Sequence, residues 1–339
     1  MRSEQPRGAD VRALYEEFPY PLPVADSDPI YDVAMGLDLV MADLDGLEVL
    51  DAGCGTGHRL IGLACQYPET RFLGVDFSEH SLSVARGLAE RNGCDNVEFR
   101  HAEIGGELLG RQFDLITSTG VIHHLENPAG GAEWLQRHLK PEGIAYTWYY
   151  HPYGEFDRLL SRDLVQLLLR DSEDDISGTV LGDLGLTLSV EQYGTRTSFS
   201  DVSQATRLAA DVDAYIHPIV NAYRFQEAAE FFRVGSDWAI VHGVNWDGGS
   251  GSVDAGDWTG GEFGTISAAG LFESPRLRAV FDRMDAYAQL DAVELKLRPT
   301  GFTLVSGGVA GLERVTDRIR RNADSANLLR PKPRQEDAR

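Results

Sequence analysis

The sequence predicts an α/β fold, a Rossmann-like, seven-stranded, mostly parallel sheet with helices on both faces and a helical insertion after strand 5. Three observations carry this expectation. Between residues 48 and 150 short apolar stretches alternate with helix-patterned ones, which is the rhythm of a parallel sheet covered by crossover helices. The first apolar stretch runs into "DAGCGTG" at 51–57, with glycine at alternate positions. After His151 the alternation gives way to helix-patterned segments.

The elements follow in order. "VRALYEEF" reads as a short helix stopped by "PYPLP", and "DPIYDVAMGLDLVM" as a helix with Asp28 as N-cap and Pro29 at its first position. "EVLDAG" is the first strand and "HRLIGLACQY" the helix after it. "RFLGVDF" is the second strand, and "SEHSLSVARGLAERNG" a helix capped by Ser78 and ended by Gly93. "VEFRHAE" and "QFDLITST" are the third and fourth strands, "GAEWLQRHL" a helix, and "GIAYTWYY" the fifth strand after a "KPEG" turn.

Beyond it, "EFDRLLSRDLVQLLLRDSED", "ATRLAADVDAY" and "RFQEAAEFFR" are helix-patterned, and "DWAIVHGVN" returns to strand character. The glycine-rich 247–264 reads as a flexible loop. "SPRLRAVFDRMDAYAQ" is a helix, "VELKLRPTGFTLVSG" one or two closing strands, and the polar end is expected to fray. The resulting division is an N-terminal helical lid segment at 1–27, a ligand-binding core at 28–152, a helical insertion at 153–235, closing strands and a helix at 236–310, and a charged tail at 311–339.

The chain of 339 residues carries a formal charge of −22, with 42% hydrophobic and 25% charged residues, an ordinary globular balance. Residues 312–339 hold eight basic and five acidic side chains, so the remainder is more acidic still. Such a body repels a phosphate backbone, which makes nucleic acid an unlikely partner. The cysteines, Cys54, Cys65 and Cys94, are odd in number and form no CxxC pair, so neither a disulfide framework nor a zinc site is expected and a reducing cytoplasm is. The N-terminus has no apolar core of a signal peptide, and no apolar run reaches the ~20 residues of a membrane helix.

Glycines 53, 55 and 57 permit positive φ and close backbone approach, and the helix start behind them offers N–H groups to a ligand. Dinucleotides and S-adenosylmethionine both use such a turn. A dinucleotide loop spaces its third glycine three after the second; here it is two, and Asp51 stands before the first glycine. An acidic residue repels a pyrophosphate and suits a sulfonium bearing an α-amino group.

At these residues the sequence resembles the class I S-adenosylmethionine-dependent methyltransferases of the small-molecule type. "VLDAGCGTG" is similar to their first motif, "FLGVDFS" to the second-strand motif, "VEFRHAEI" to the third and "FDLITSTGVIHHLENP" to the fourth; "LKPEGIAYTWYY" matches the turn and strand that follow. The resemblance covers about 30–152 and implies S-adenosyl-L-methionine as cofactor, held by Asp51, Gly53, Gly55, Gly57, Asp76, Phe77, Glu103, Ile104 and Thr119. It implies that Asp76 accepts both ribose hydroxyls, Glu103 the adenine amino group, and Ile104 covers the ring. Glutamate stands at 103 where the family more often has aspartate.

The same resemblance places His123 and His124 beside the transferring methyl, where a histidine takes a proton from an acceptor. Tyr150 and His217 complete the candidate catalytic set. The aromatic end of strand 5 and the insertion supply candidate substrate contacts: Tyr15, Tyr20, His151, Tyr153, Asp213, Asn221 and Tyr223. No HxH or HExxH spacing supports a metal. The expected function is methyl transfer to a small amine, hydroxyl or activated carbon. Two alternatives stay open: intramolecular cyclisation of the cofactor with release of methylthioadenosine, and a non-catalytic binding subunit. A homodimer through the apolar helix at 155–171 is a further expectation.

Overall fold

The computed structural model describes residues 43–173, 177–186, 210–232, 238–246, 249–252 and 271–323, with single positions between Val11 and Met41. The first five strands are β1 (Glu48–Ala52), β2 (Arg71–Asp76), β3 (Val97–His101), β4 (Phe113–Thr119) and β5 (Leu139–Tyr150). β6 (Trp238–Trp246), β7 (Gly249–Ser252) and β8 (Pro299–Gly307) complete one sheet in the order β3-β2-β1-β4-β5-β8-β6-β7. β1 to β5 pair in parallel, whereas β8 is antiparallel to both β5 and β6. Chain order reverses between β1 and β4. A ligand crevice forms beyond the carboxyl ends of strands at such a switch point.

Neighbouring residues of each strand serve opposite faces. Leu50, Leu73 and Ile116 join one buried cluster with Phe113, Trp134, Tyr149 and Phe302. Val49, Phe72 and Leu115 join another with Leu60, Ile144, Val305 and Leu312. This period of two, apolar on both faces, is what a sheet covered on both sides requires. Helices α1 (His58–Gln66), α2 (Glu79–Asn92) and α3 (Pro128–Arg137) connect the parallel strands. Ser78 caps α2 by accepting from the Ser81 N–H, and Gly93 ends it in the left-handed region.

The insertion contains α4 (Phe156–Asp171), the short α5 (Val180–Asp183), a π turn at Val212–Ile216 and α6 (Phe225–Glu230). α4 is inside out. Arg158 and Arg162 are buried with Val165, while Phe156, Leu160, Leu164 and Leu167 are 59%, 53%, 43% and 45% exposed. α7 (Pro275–Phe281), α8 (Ala286–Leu297) and α9 (Val309–Ala323) close the chain.

The structure departs from the sequence expectation at four places. "VELKL" is the end of α8, not a strand: Asp285 caps that helix, and Leu290 and Val293 share its buried side. The expected single helix "SPRLRAVFDRMDAYAQ" is broken into α7 and α8 at 282–285. Gly249–Ser252 pairs with β6 inside the expected glycine loop. Part of the charged tail is α9, whose Leu312 and Val315 are buried against the sheet; the charges around that apolar pair hid the helix. Asp28, most of the loop to 264 and residues 324–339 lie outside the described residues.

Candidate active site

The turn after β1 holds three positive φ angles, 79° at Gly53, 53° at Gly55 and 78° at Gly57. A Cβ at Gly53 would lie 2.6 Å from Val121 and one at Gly57 2.8 Å from Ala85. Glycine is thus demanded here by backbone geometry and by close protein packing together. The turn is tied down from within. Gly53 and Cys54 donate to the Val75 carbonyl (2.8 and 3.0 Å), Thr56 to the Tyr20 carbonyl (3.4 Å) and Gly57 to the Cys54 carbonyl (3.0 Å). Gly55 donates to Asp76 Oδ2 at 2.9 Å. Each N–H of 53–57 thus has a protein partner, and the turn offers a shaped cradle between two carboxylates.

Those carboxylates are Asp51 and Asp76. Asp51 is buried and accepts from Thr117 Oγ1 at 2.9 Å. Asp76 accepts from the backbone of Gly55 and, through Oδ1, of Ser78 at 2.9 Å. Burial raises its pKa, and those two N–H groups work against the rise. Each carboxylate oxygen has a second lone pair, so a vicinal diol still finds an acceptor on each. The left-handed turn and the paired carboxylates fit S-adenosylmethionine. Thr119 Oγ1, at the end of β4, is buried without a partner. Glu103 is exposed just past β3, and Ile104 packs against the core, which suits the edge of a nucleoside site better than its floor.

A second group lies beyond β4 and β5. His123 and His124 occupy a 3-10 turn, Ile122–His124, with ring centroids 4.3 Å apart. His124 lies 4.1 Å from His217, His123 4.4 Å from Tyr150, and Tyr15 5.5 Å from His217. Tyr15 donates to Asp213 Oδ1 at 2.7 Å and meets Phe77 edge-on at 6.0 Å. Phe77 follows Asp76, so Tyr15 joins the cradle to the histidines. The lid segment is anchored there as well: Ser78 Oγ donates to Glu16 at 3.0 Å. Tyr20 reaches the cradle through its carbonyl.

The wall of this pocket is laced by backbone bonds. Asn221 N–H and its side-chain amide both donate to the His123 carbonyl, at 3.0 and 3.1 Å, and Tyr223 N–H donates to the Tyr150 carbonyl at 2.9 Å. Ile219 sets two tautomers. Its carbonyl accepts from His124 Nδ1 at 2.7 Å, and its N–H donates to His217 Nδ1 at 3.0 Å. In the neutral rings, Nε2 of His124 is then the lone-pair nitrogen and Nε2 of His217 carries the hydrogen.

Burial, followed by His124 and Arg158, holds the His123 pKa well below the usual histidine value. Burial, followed by His124 and Arg162, does the same at His217, and burial also lowers His124. Neither ring nitrogen of His123 makes a well-formed hydrogen bond, the backbone of Trp148 acting on the ring only as a weak partner. Arg158 lies 4.4 Å over the Tyr150 ring, pairs with Glu155 and donates to the Ala214 carbonyl at 2.8 Å, and its Nη2 is buried without a partner. The sequence reading missed Arg158. Its spacing of four from Arg162 and seven from Val165 puts all three on one helix side, but the leucines opposite were the louder signal.

The structure moves three expected substrate contacts elsewhere. Successive β5 residues face opposite ways, so Tyr150 joins the pocket and His151 does not. His151 Nε2 donates to the buried Glu294 at 3.0 Å and its Nδ1 accepts from Tyr153 N–H at 3.2 Å, which leaves no ring nitrogen for a substrate. Arg224 braces Glu294 at 2.5 Å and lies over the Tyr153 ring at 5.7 Å. Tyr223 packs edge-on against Phe231 and Tyr149. Among the described residues no group of three His, Cys, Asp or Glu is arranged to hold a metal, and no helix is long and apolar enough to cross a membrane.

A model of the methyltransferase domain matches residues 43–175. An uncharacterized protein of Synechococcus sp. is 31% identical over 185 residues, 51% of this chain and 44% of that protein. The ubiquinone biosynthesis O-methyltransferase of Leptothrix cholodnii is 33% identical over 114 residues, 32% of this chain and 47% of that protein. The chain spans less than half the length of these relatives. PKMT2 from Rickettsia typhi, solved in complex with AdoHcy, superposes with a TM-score of 0.54 at 18% identity, over 84% of this chain and 54% of that one. The methyltransferase domain model thus covers the part of the chain that carries the 53–57 turn and Asp76, and the sheet shares the fold of PKMT2 from Rickettsia typhi.

Proposed function

We propose that this protein transfers a methyl group from S-adenosylmethionine to a small acceptor presented as a neutral hydroxyl or amine. The observation that carries the reading is His123: buried, neutral, without a well-formed hydrogen bond at either nitrogen, and set between Tyr150 and the histidine pair that Tyr15 links to the cradle. Asp51, Asp76 and the 53–57 turn would hold the cofactor, which supplies an electrophilic methyl on a sulfonium. Asp51 and Asp76 complement that positive charge and the sugar, and Thr119 offers a hydroxyl beside them.

On the acceptor side, a neutral imidazole at 123 takes the proton that the nucleophile sheds. The His124 and His217 tautomers offer one acceptor and one donor to a polar substituent. Tyr15, Tyr20, Asp213 and Asn221 wall the site. Alignment of two reactants in a closed pocket supplies much of the acceleration, since well-oriented pairs reach effective molarities of about 10⁵ M and above. The curated relatives named O-methyltransferases support oxygen as the first atom to test.

The experiment is incubation with methyl-labelled S-adenosylmethionine and matched phenols, anilines and benzylamines. S-adenosylhomocysteine formed only with acceptor supports transfer. Methylthioadenosine released without any acceptor supports the cyclisation reading, and cofactor binding with neither product supports a binding subunit. The exposed apolar side of α4 supports pairing of two copies. An antiparallel arrangement sets Asp157 opposite Arg170 of the second copy, and light scattering reads the mass.

A further inference from the structure

Two of the three cysteines, 29 positions apart in sequence, meet in the fold. Cys65 lies in the last turn of α1, and Cys94 follows the Gly93 cap of α2. Their sulfurs are 3.2 Å apart, Cys65 is exposed and Cys94 half-buried. The corner is fixed without them. Asn96 donates its side-chain amide to the carbonyls of Ala64, Tyr67 and Thr70 at 3.3, 3.0 and 3.1 Å, tying the end of α1 to the start of β3. The Cys94 N–H donates to the Ala89 carbonyl at 3.0 Å. The backbone on both sides is thus held in place before any sulfur bond forms, and the packing of α1 beside α2 brings together two thiols that are free in this structure.

We propose that Cys65 and Cys94 form a reversible disulfide site whose co-reactant is a low-molecular-weight disulfide of the glutathione type. The exposed Cys65 thiolate attacks one sulfur of the oxidised reagent and expels one equivalent of its thiolate. Cys94 then gives up its proton, attacks the Cys65 sulfur of the mixed disulfide and releases the second equivalent. Two protein thiols are oxidised and one reagent disulfide is reduced to two thiols. Burial and the neighbouring Cys65 push the Cys94 thiol up to about 12, which suits it to the resolving role and leaves Cys65 the attacking one. Cys54 is the internal control. It is buried in the cradle, its pKa is raised well above the usual thiol value by burial and then by Asp76 and Asp51, and it stays reduced in the folded chain. The site stands independently of the methyl-transfer reading.

The test is peptide mapping of the full folded chain after exposure to glutathione disulfide, with free thiols blocked and no reductant. Tryptic peptides 60–71 and 92–100 are expected as one linked species, two hydrogens lighter than their sum, which dithiothreitol separates. Closing a loop of this length is expected to raise the thermal midpoint by about 5 °C or more, and Cys65→Ser is expected to abolish both effects. Three blocked thiols after oxidation, or a stable glutathione adduct on Cys65 with no linked peptide, would overturn the proposal. A linked species in which Cys54 replaces either partner would overturn it as well.

Discussion

The two sides of the crevice are built in opposite ways. On the cofactor side, each N–H of the 53–57 turn and both oxygens of Asp76 are engaged within the chain, by residues no more than 36 positions away. On the acceptor side, segments from 15, 123, 150, 158 and 217 converge, and polar atoms of His123, His217 and Arg158 are left buried without well-formed hydrogen bonds. Native proteins pair nearly all buried polar groups, so orphans gathered in one place mark where a ligand completes the structure. The backbone of the cradle is engaged before its ligand arrives, with Thr119 Oγ1 left open beside it, whereas the acceptor wall leaves side-chain atoms of three residues open.

The strongest way to break this contrast is to remove the group assigned to chemistry. Replacing His123 with alanine deletes the buried imidazole and leaves the cradle untouched. If His123 accepts the proton, kcat falls roughly 10²–10⁴-fold, the usual worth of a positioned base, while calorimetric affinity for S-adenosylhomocysteine stays within about twofold. A loss of cofactor affinity as large as the loss of rate would mean that the two sides are not separate.

Asp76→Ala tests the other side. It removes the acceptor for Gly55 and Ser78 as well as the expected sugar contact. Charged hydrogen bonds contribute about 1.5–3 kcal/mol each, so cofactor affinity is expected to drop roughly 100-fold by calorimetry, with turnover at saturating cofactor much less affected. Unchanged affinity would remove the nucleoside from this turn.

A smaller effect comes from pH. His123, His124 and His217 all have folded pKa values held below the usual one by burial. The unfolded chain binds protons at these sites first as pH drops below about 6.5. Their contribution to stability is whole above that value and is lost on acidification, by about 1 kcal/mol per pH unit for each ring. Urea midpoints at pH 7.0 and 5.5 read the slope. His217→Asn, which keeps an acceptor for Ile219 N–H, is expected to shrink it; an unaltered slope would show that this ring does not titrate with unfolding.

How much was legible follows the same division. Gly53, Gly55, Gly57 and Asp76 announce themselves because a local turn and a strand end fix their chemistry within a short stretch of chain. The alternation through β5 was legible for the same reason. His217 and Asp213 entered as candidates from the insertion and Tyr15 from the N-terminal lid segment, with nothing local to join them, since what connects them to His124 is packing between segments some 100 or 200 positions apart. Arg158 was hidden by α4, whose leucines face outward against the usual pattern. His151 was misjudged because one residue of register at the end of β5 decides which face a side chain serves. The helix at the end of "VELKL" was masked by its valine and leucines, which suit strand and helix alike.

The gentlest probe concerns Glu103, where the family resemblance is weakest. Its side chain is exposed beyond β3, in contrast to the half-buried Asp76. A hydrogen bond from an adenine amino group to an exposed carboxylate competes with water and contributes about 1 kcal/mol or less. Glu103→Ala is therefore expected to weaken S-adenosylmethionine binding no more than about fivefold. A loss matching that of Asp76→Ala would mean that ligand binding draws Glu103 into the crevice. The cofactor side, too, would then be completed by its ligand, and the contrast between the two walls would be one of degree.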